Sequence, residues 1–154
     1  MIQGKFQYVI EVNVTFTARE ILALYVASQS HYDSKCKATG RPRLPGAVHG
    51  GEIWGLINRL PAQPNLKGES NNDFVKRTCS ANFDAVVETC LSTRTLGTLG
   101  KIAEMPGEND EEDITLLKIK GGIRRALRSA NEEYSRLNIK DDLDEPEGDT
   151  PPNP

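Results

Sequence analysis

The chain has 154 residues, the size of one ordinary domain that buries a core without help from disulfides. Its three cysteines, Cys36, Cys79 and Cys90, form no CxxC pair, and with two histidines they provide no zinc-ligand spacing. Their odd number and the lack of an apolar signal core after Met1 favour a reducing, cytoplasmic setting. No run reaches the roughly 18 apolar residues of a membrane span, so we expect no membrane partner.

Charge is unevenly distributed along the chain. The formal net charge is −3, but residues 141–149 contain six acidic side chains, so the remainder carries +3. A weakly basic body with an acidic tail favours an anionic ligand, although charge alone does not identify that ligand.

The first elements that the sequence predicts are a strand and a helix. Apolar residues alternate with more polar neighbours through residue 16, as in a half-buried strand. These are Phe6, Tyr8, Ile10, Val12, Val14 and Phe16. Thr17 and Glu20 then form a capping box, in which each side chain bonds to the other residue's backbone, so a helix should follow over about 18–37. Gly40 is the predicted stop signal.

Turn residues punctuate the middle of the chain and divide it into short elements. In chain order the sequence predicts a loop over 40–51, a short helix from Glu52 that ends before Pro61, a surface loop over 62–73, strands near 74–79 and 84–91, and a helix over about 93–104. Gly97 and Gly100 weaken that last helix by roughly 1 kcal/mol each, so packing must hold it in place.

A third helix is predicted from the acidic stretch 108–113 to about Leu137, because acidic residues suit the positive end of a helix dipole. Apolar residues recur along it at steps of three and four, which suits packing on the body or on a second subunit. They are Leu116, Ile119, Ile123, Leu127, Ala130, Tyr134 and Leu137. Gly121-Gly122 is a possible division point, and the tail beyond Ile139 is predicted to be disordered.

Two stretches of the sequence match each other at a fixed offset of 75 residues. FTAREI at 16–21 corresponds to LSTRTL at 91–96, and both read as strand, hydroxyl cap, any residue, arginine and helix. We therefore predict two strand–helix units that pair across a small antiparallel sheet. An internal duplication and the shared chemistry of helix caps both account for the match.

The sequence contains no enzyme motif. Walker, GxGxxG, GxSxG and HExxH patterns are absent, and neither His31 nor His49 has a motif partner. We therefore expect no catalytic residues, no metal and no cofactor.

Several side chains are candidates for binding a ligand. His31, Tyr32 and Lys37 lie together at the end of the first helix, where lysine also complements the helix dipole without any ligand. Trp54 either fills the core or stacks on a base, and Asn58 offers an amide to a base edge.

Arginine opens the helices of both matching units. Arg94 lies in the first turn of its helix, where a cation opposes the dipole, so a bound anion would remove the conflict. A surface salt bridge would satisfy Arg94, or the equivalent Arg19, equally well. The third helix carries a basic face, which is either solvated or a nucleic-acid contact. Its members are Lys118, Lys120, Arg124, Arg125 and Arg128.

The order of these pieces resembles a known family. VTFTAREI, SHYDSKCK, GGEIWGLIN and LSTRTLGTLGKIAE follow one another within residues 12–104, and the SHYD-x-x-C-K/R stretch is the most specific of them. The series is similar to the phage proteins of the first-described Thoeris anti-defence family, which sequester the signal of Thoeris immunity. In this chain lysine stands where the family has arginine after the cysteine, the loop 61–73 is enlarged, and everything after about 106 is additional.

The resemblance implies a non-enzymatic homo-oligomer, built from dimers, that binds cyclic ADP-ribose isomers between subunits. Some members also hold cyclic oligonucleotides at separate sites. Carried over by motif, Lys37 is the basic residue after the cysteine, and Arg94 is the arginine that opens the last family helix.

We therefore expect an α+β protein with a small antiparallel sheet and two packed helices. Its predicted parts are a nucleotide-binding core at 1–106, an amphipathic helix at 107–139 and a disordered acidic tail at 140–154. The expected function is to bind a cyclic nucleotide signal without cleaving it, in the cytoplasm of an infected bacterium. The predicted ligand-binding residues are His31, Tyr32, Lys37, Trp54, Asn58 and Arg94. The alternatives are a nucleic-acid-binding phage accessory protein that uses the basic helix, and a structural phage assembly protein.

Overall fold

The protein is described by a computed structural model over residues 10–42 and 51–144. In chain order the elements are β1 (Glu11–Thr17), α1 (Ala18–Thr39), α2 (Glu52–Ile57), α3 (Asn71–Ser80), β2 (Val86–Ser92), α4 (Thr93–Ile102) and α5 (Asp110–Asp144). The expected α+β class is confirmed: within the described ranges, one two-stranded antiparallel sheet lies among helices.

The sheet has a local two-fold symmetry that extends into the helices that follow its strands. Val14 lies opposite Thr89, which is 75 positions later in the chain, and the same offset separates the bounds of β1 from those of β2. The helix starts obey it too, because the Ala18 N–H donates to the Ala85 carbonyl at 2.8 Å and the Thr93 N–H donates to the Ile10 carbonyl at 3.2 Å. We call β1–α1 the first unit and β2–α4 the second unit. Their predicted pairing is confirmed, and a duplication as its origin stays a prediction.

Hydroxyl caps begin both of these helices. The Glu20 N–H donates to Thr17 Oγ1 at 3.2 Å, and the Thr17 N–H donates back to Glu20 Oε1 at 2.9 Å, which is the predicted capping box. In the second unit Ser92 Oγ accepts from the Thr95 N–H at 3.1 Å. Gly40 ends α1 in the left-handed region at φ 68°, as its predicted role requires.

The core forms where α1 crosses the other elements. α1 packs against the sheet strand that precedes it and against α2, α3, α4 and α5, so it is the central element of the fold. The apolar face of α1 is buried, and Tyr32 on that face is half-buried. The fully buried side chains of α1 include Ile21, Leu24 and Tyr25. Phe16 and Val87, opposite each other in the sheet, close the core from the strand side.

The strand predicted at 74–79 is wrong, because these residues belong to α3. Ser70 caps this helix by accepting from the Asp73 N–H at 3.2 Å. Val75, Thr78 and Cys79 are buried at helical spacing. The pattern Ser-x-x-Asp before an apolar run is itself a helix-start signal that the sequence reading did not use.

The predicted division of α5 at Gly121-Gly122 is also wrong, because the helix is continuous from Asp110 to Asp144. Ile119 and Ile123 are buried on either side of the two glycines and hold this part of the helix on the body. A Cβ at Gly100 of α4 would lie 3.4 Å from Ile123 Cγ2, so the two helices approach closely.

Some sequence predictions fall wholly or partly outside the described residues. These are the early strand residues Phe6 and Tyr8, the turn that contains His49, and residues 145–154 of the tail. α5 runs to Asp144, so the tail boundary predicted at 140 is too early by five residues. The division into a nucleotide-binding core and an added helix stays a prediction.

Candidate functional site

The arginine of the first unit contacts two neighbouring side chains. Arg19 forms an ion pair through Nη1 with Glu111 Oε1 at the start of α5. Its guanidinium carbon also lies 4.4 Å from the centroid of the Phe83 ring. An acidic group thus satisfies the cation that opposes the dipole of α1, as one of the two alternatives for these arginines requires.

Arg94 holds the equivalent position of the second unit in a different environment. It is exposed on the first turn of α4, and none of the acidic side chains in the described ranges forms an ion pair or hydrogen bond with it. The residue 75 positions before Phe83 is Tyr8, which lies outside the described residues. The described part of the second unit therefore offers this cation no counterpart of Glu111.

First-turn charge separates α4 from the other described helices. Each of the others carries at least one acidic residue in its first turn, in the order Glu20, Glu52, Asp73 and the group 110–113. α4 has no acid there and carries Arg94 instead. Because an anion is favourable at a helix N-terminus, α4 is the helix whose start lacks the usual negative charge.

The candidates at the end of α1 form a polar, partly exposed surface. Lys37 Nζ lies 3.5 Å from Asp33 Oδ2, one helical turn earlier, and the lysine side chain is 79% exposed. Exposed pairs of this kind contribute little to stability, so an anionic ligand would compete easily for the lysine. His31 and Tyr32 are half-buried on the preceding turn.

Trp54 is attached to the core on one side and open on the other. Its ring packs edge-on against Tyr25, with the centroids 5.7 Å apart and the planes at 76°. The half-buried indole therefore takes part in core packing and also keeps exposed surface. Asn58 follows it at the C-cap of α2, where its side chain is exposed.

A polar cluster beside Trp54 was missed by the sequence reading. The Tyr25 hydroxyl donates to Asn72 Oδ1 at 2.7 Å, and Gln29 Nε2 donates to the same oxygen. Burial raises the pKa of Tyr25, an effect that its hydrogen bond with Gln29 partly offsets. This cluster joins α1 to α3, and only recognition of α3 as a helix would have suggested it.

Two of the three cysteines are buried. Burial raises the pKa of the Cys79 thiol to about 12, so it stays protonated at neutral pH. Cys36 is buried as well, and Cys90 is exposed on the sheet. Within the described ranges, no three potential metal-binding side chains come together.

The candidate residues lie on three helices, one of which contacts the other two. His31, Tyr32 and Lys37 lie on α1, Trp54 and Asn58 on α2 and its C-cap, and Arg94 on α4. α1 contacts both α2 and α4, so it links the three groups. Apart from the bond at 2.9 Å that the Asn58 N–H donates to the Trp54 carbonyl, no hydrogen bond or ion pair in the described part of the chain joins Lys37, Trp54, Asn58 and Arg94 to one another. Trp54 and Asn58 are neighbours on α2, whereas no described contact brings Lys37 or Arg94 to them.

Comparisons with known proteins identify no relative. No family model, no curated protein and no solved structure matches the chain. Among the described residues, none of the helices combines the length and apolar character needed to cross a membrane.

Proposed function

We propose that this protein binds a phosphorylated cyclic nucleotide, of the cyclic ADP-ribose type, and sequesters it unchanged. The observation that carries the proposal is Arg94, an exposed cation on the one described helix without an acid in its first turn. Its equivalent, Arg19, is satisfied by a carboxylate. In the first unit a carboxylate of the protein itself thus pairs with the arginine. In the second unit we propose that the anion beside the arginine comes from a bound ligand.

Phosphate suits the start of α4 for two physical reasons. Helix N-termini attract anions through the dipole and through backbone N–H groups that lack partners in the helix. An arginine beside them adds charge and a planar set of donors that matches two phosphate oxygens.

The other candidates take supporting roles in the proposal. Lys37 neutralises a second phosphate by exchanging Asp33 for the ligand, and Trp54 stacks on adenine with its exposed surface. Asn58 bonds to a polar edge of the base, and His31 and Tyr32 line the same surface. We further propose a homo-oligomer built from dimers, with ligand held between subunits, in the cytoplasm of an infected bacterium. Cyclic oligonucleotides are a possible second ligand class.

Sequestration and catalysis are distinguished by the chemical form of the ligand that the protein releases. Purified protein is incubated with a cyclic ADP-ribose isomer, freed of unbound ligand and heat-denatured, and the released compound is analysed by chromatography and mass. We expect the intact cyclic nucleotide, because the sequence contains no enzyme motif. Recovery of linear ADP-ribose would contradict sequestration and show that the protein is an enzyme.

The two equivalent arginines provide a matched pair of variants for the binding site. Arg94→Ala is expected to weaken nucleotide binding by at least about 1.5 kcal/mol in calorimetry, the lower range for a hydrogen bond to a charged group. Lys37→Ala should act in the same direction but more mildly, because an ammonium makes no bidentate contact. Arg19→Ala is the control and should leave affinity unchanged. Equal affinities for the Arg94 variant and the control would place the pocket elsewhere.

A nucleic-acid-binding function is the second candidate, and α5 favours it. Five cations lie between residues 118 and 128, with no acid between Asp113 and Glu132. Strongly salt-dependent DNA binding that is lost in the variant Arg124→Ala with Arg125→Ala would support this candidate over the nucleotide. Assembly without affinity for either ligand would support the structural phage protein.

A further inference from the structure

Trp54 lies on a helix that depends on its neighbours for its place in the fold. α2 has six residues, and no side chain caps its start. Isolated helices shorter than about 12 residues are marginal in water, so tertiary contacts must hold this one. Ile53, Leu56 and Ile57 anchor its backbone, with at most 2% of each residue exposed. The half-buried Trp54 ring, by contrast, is oriented by the side chains that it touches.

The phenol of Tyr25 is a ring against which Trp54 packs. The two rings meet edge-on, with the centroids 5.7 Å apart and the planes at 76°. Tyr25 is 1% exposed, so its ring is fixed within the packed core. An edge-to-face pair is a directional contact, because the positive edge of one ring meets the negative face of the other. The orientation of the indole therefore follows the orientation of the phenol.

The hydroxyl end of Tyr25 is held by a second helix. The Tyr25 O–H donates to Asn72 Oδ1 at 2.7 Å, and Gln29 Nε2, one turn farther along α1, donates to the same oxygen. Two donors occupy both lone pairs of that oxygen, which fixes the orientation of the Asn72 amide. Burial raises the pKa of Tyr25, so its hydroxyl keeps the proton that it donates at neutral pH. Asn72 lies in the first turn of α3, which Ser70 caps.

We propose that the hydrogen bonds of Tyr25 and Asn72 position the Trp54 indole in the orientation in which it stacks on a ligand base. Gln29 supports this role by holding the Asn72 amide. The stacking rests on the proposed function, whereas the orientation of the indole is a property of the protein without ligand. Preorganisation of this kind strengthens binding, because the aromatic ring is already ordered when the ligand arrives.

The test uses the fluorescence of Trp54, the only tryptophan of the chain, in the full-length protein without ligand. Tyr25→Phe removes the hydroxyl and keeps the ring, and Asn72→Ala removes the acceptor. In each variant we expect acrylamide to quench the indole at least about twofold more strongly, because the loss of one hydrogen bond shifts a local equilibrium by at least that factor. The far-ultraviolet circular dichroism spectrum should not change.

Two further variants separate positioning from a general loss of stability. Asn72→Asp keeps an oxygen that accepts from both donors, so it should restore the quenching of the wild type. Asn71→Ala is the matched control, because it removes an exposed amide from the same helical turn. Wild-type quenching in both Tyr25→Phe and Asn72→Ala would overturn the proposal, even if both variants unfold at a lower temperature. So would an Asn72→Asp or Asn71→Ala variant that is quenched as strongly as Asn72→Ala.

Titration with a cyclic ADP-ribose isomer distinguishes this proposal from the proposed function. If the wild type binds the nucleotide, Tyr25→Phe and Asn72→Ala should each raise the Kd at least about threefold, and Asn71→Ala should not. Unchanged affinity in the first two variants would overturn the role of this network in binding. If the wild type does not bind, the proposed function fails, and quenching without ligand still decides whether the network positions Trp54.

Discussion

The two strand–helix units share a backbone arrangement and differ in the surroundings of their equivalent arginines. Each begins its helix after a hydroxyl cap, and each places an arginine two positions after the cap. In the first unit, the start of α5 supplies Glu111 to Arg19, and Phe83 stacks on the guanidinium. In the second unit, the described residues supply no such acid. Equivalent local sequences thus acquire different surroundings from the elements that pack beside them.

The equivalence between the two units extends into the core, where substitutions should lower the free energy of unfolding the most. Leu24 of α1 and Leu99 of α4 are 75 positions apart, and both are fully buried. Leu24→Ala and Leu99→Ala should each lower the free energy of unfolding by about 2–5 kcal/mol, because each leaves a cavity in a packed core. Urea denaturation followed by circular dichroism measures both losses.

Leu66 supplies the control for this pair, since it is 55% exposed and its replacement by Ala should change stability by less than about 0.5 kcal/mol. If either core variant lost as little stability as the Leu66 variant, the helix that carries it would not belong to the common core. The comparison between the two units would then fail.

The caps should show a smaller and nearly equal effect. Thr17→Ala and Ser92→Ala each remove the side-chain oxygen that accepts from the third residue of the following helix, so each should cost about 1 kcal/mol. Glu20→Ala should cost more than the equivalent substitution Thr95→Ala, because only Glu20 also accepts from the backbone of its cap. Thermal unfolding of the four variants gives the comparison. A cap variant as stable as the wild type would show that packing alone fixes that helix start.

The smallest effects concern the arginines in the absence of ligand. Arg19→Ala should cost at most about 1 kcal/mol, and less at high salt, because it breaks an exposed ion pair. Arg94→Ala should leave the thermal midpoint unchanged or slightly raised, since it removes a cation from the positive end of a helix dipole. Melting curves at low and high salt test both expectations. A clear destabilisation by Arg94→Ala would show that this side chain has a structural partner.

Local rules predicted the parts of this fold that local chemistry determines. Alternation and caps at Thr17 and Ser92 placed two strand–helix junctions, and the helical end at Gly40 followed from its freedom to adopt positive φ. α3 was missed because its few apolar residues were assigned to a short strand, although Ser70 and Asp73 carry a helix-start pattern.

Long-range contacts lay beyond those rules. The ion pair between Arg19 and Glu111 joins residues 92 positions apart, so no local pattern contains it. In the candidate site, the sequence identifies Arg94 as a cation and Trp54 as an aromatic side chain. Whether an acidic side chain pairs with Arg94, or an aromatic ring packs against Trp54, depends on tertiary packing. The lack of an acid in the first turn of α4 was visible in the sequence and became informative only beside the other helices.

The two glycines inside α5 have a consequence for how the molecule opens. Gly121 and Gly122 together lower helix propensity by about 2 kcal/mol relative to alanine, so the helix persists there because its neighbours are anchored. Fluctuations that detach the buried isoleucines would also separate the two ends of α5 into independent opening units. Amide hydrogen exchange should therefore divide α5 at this point, with slow exchange before the glycines and fast exchange in the exposed segment after Ala130.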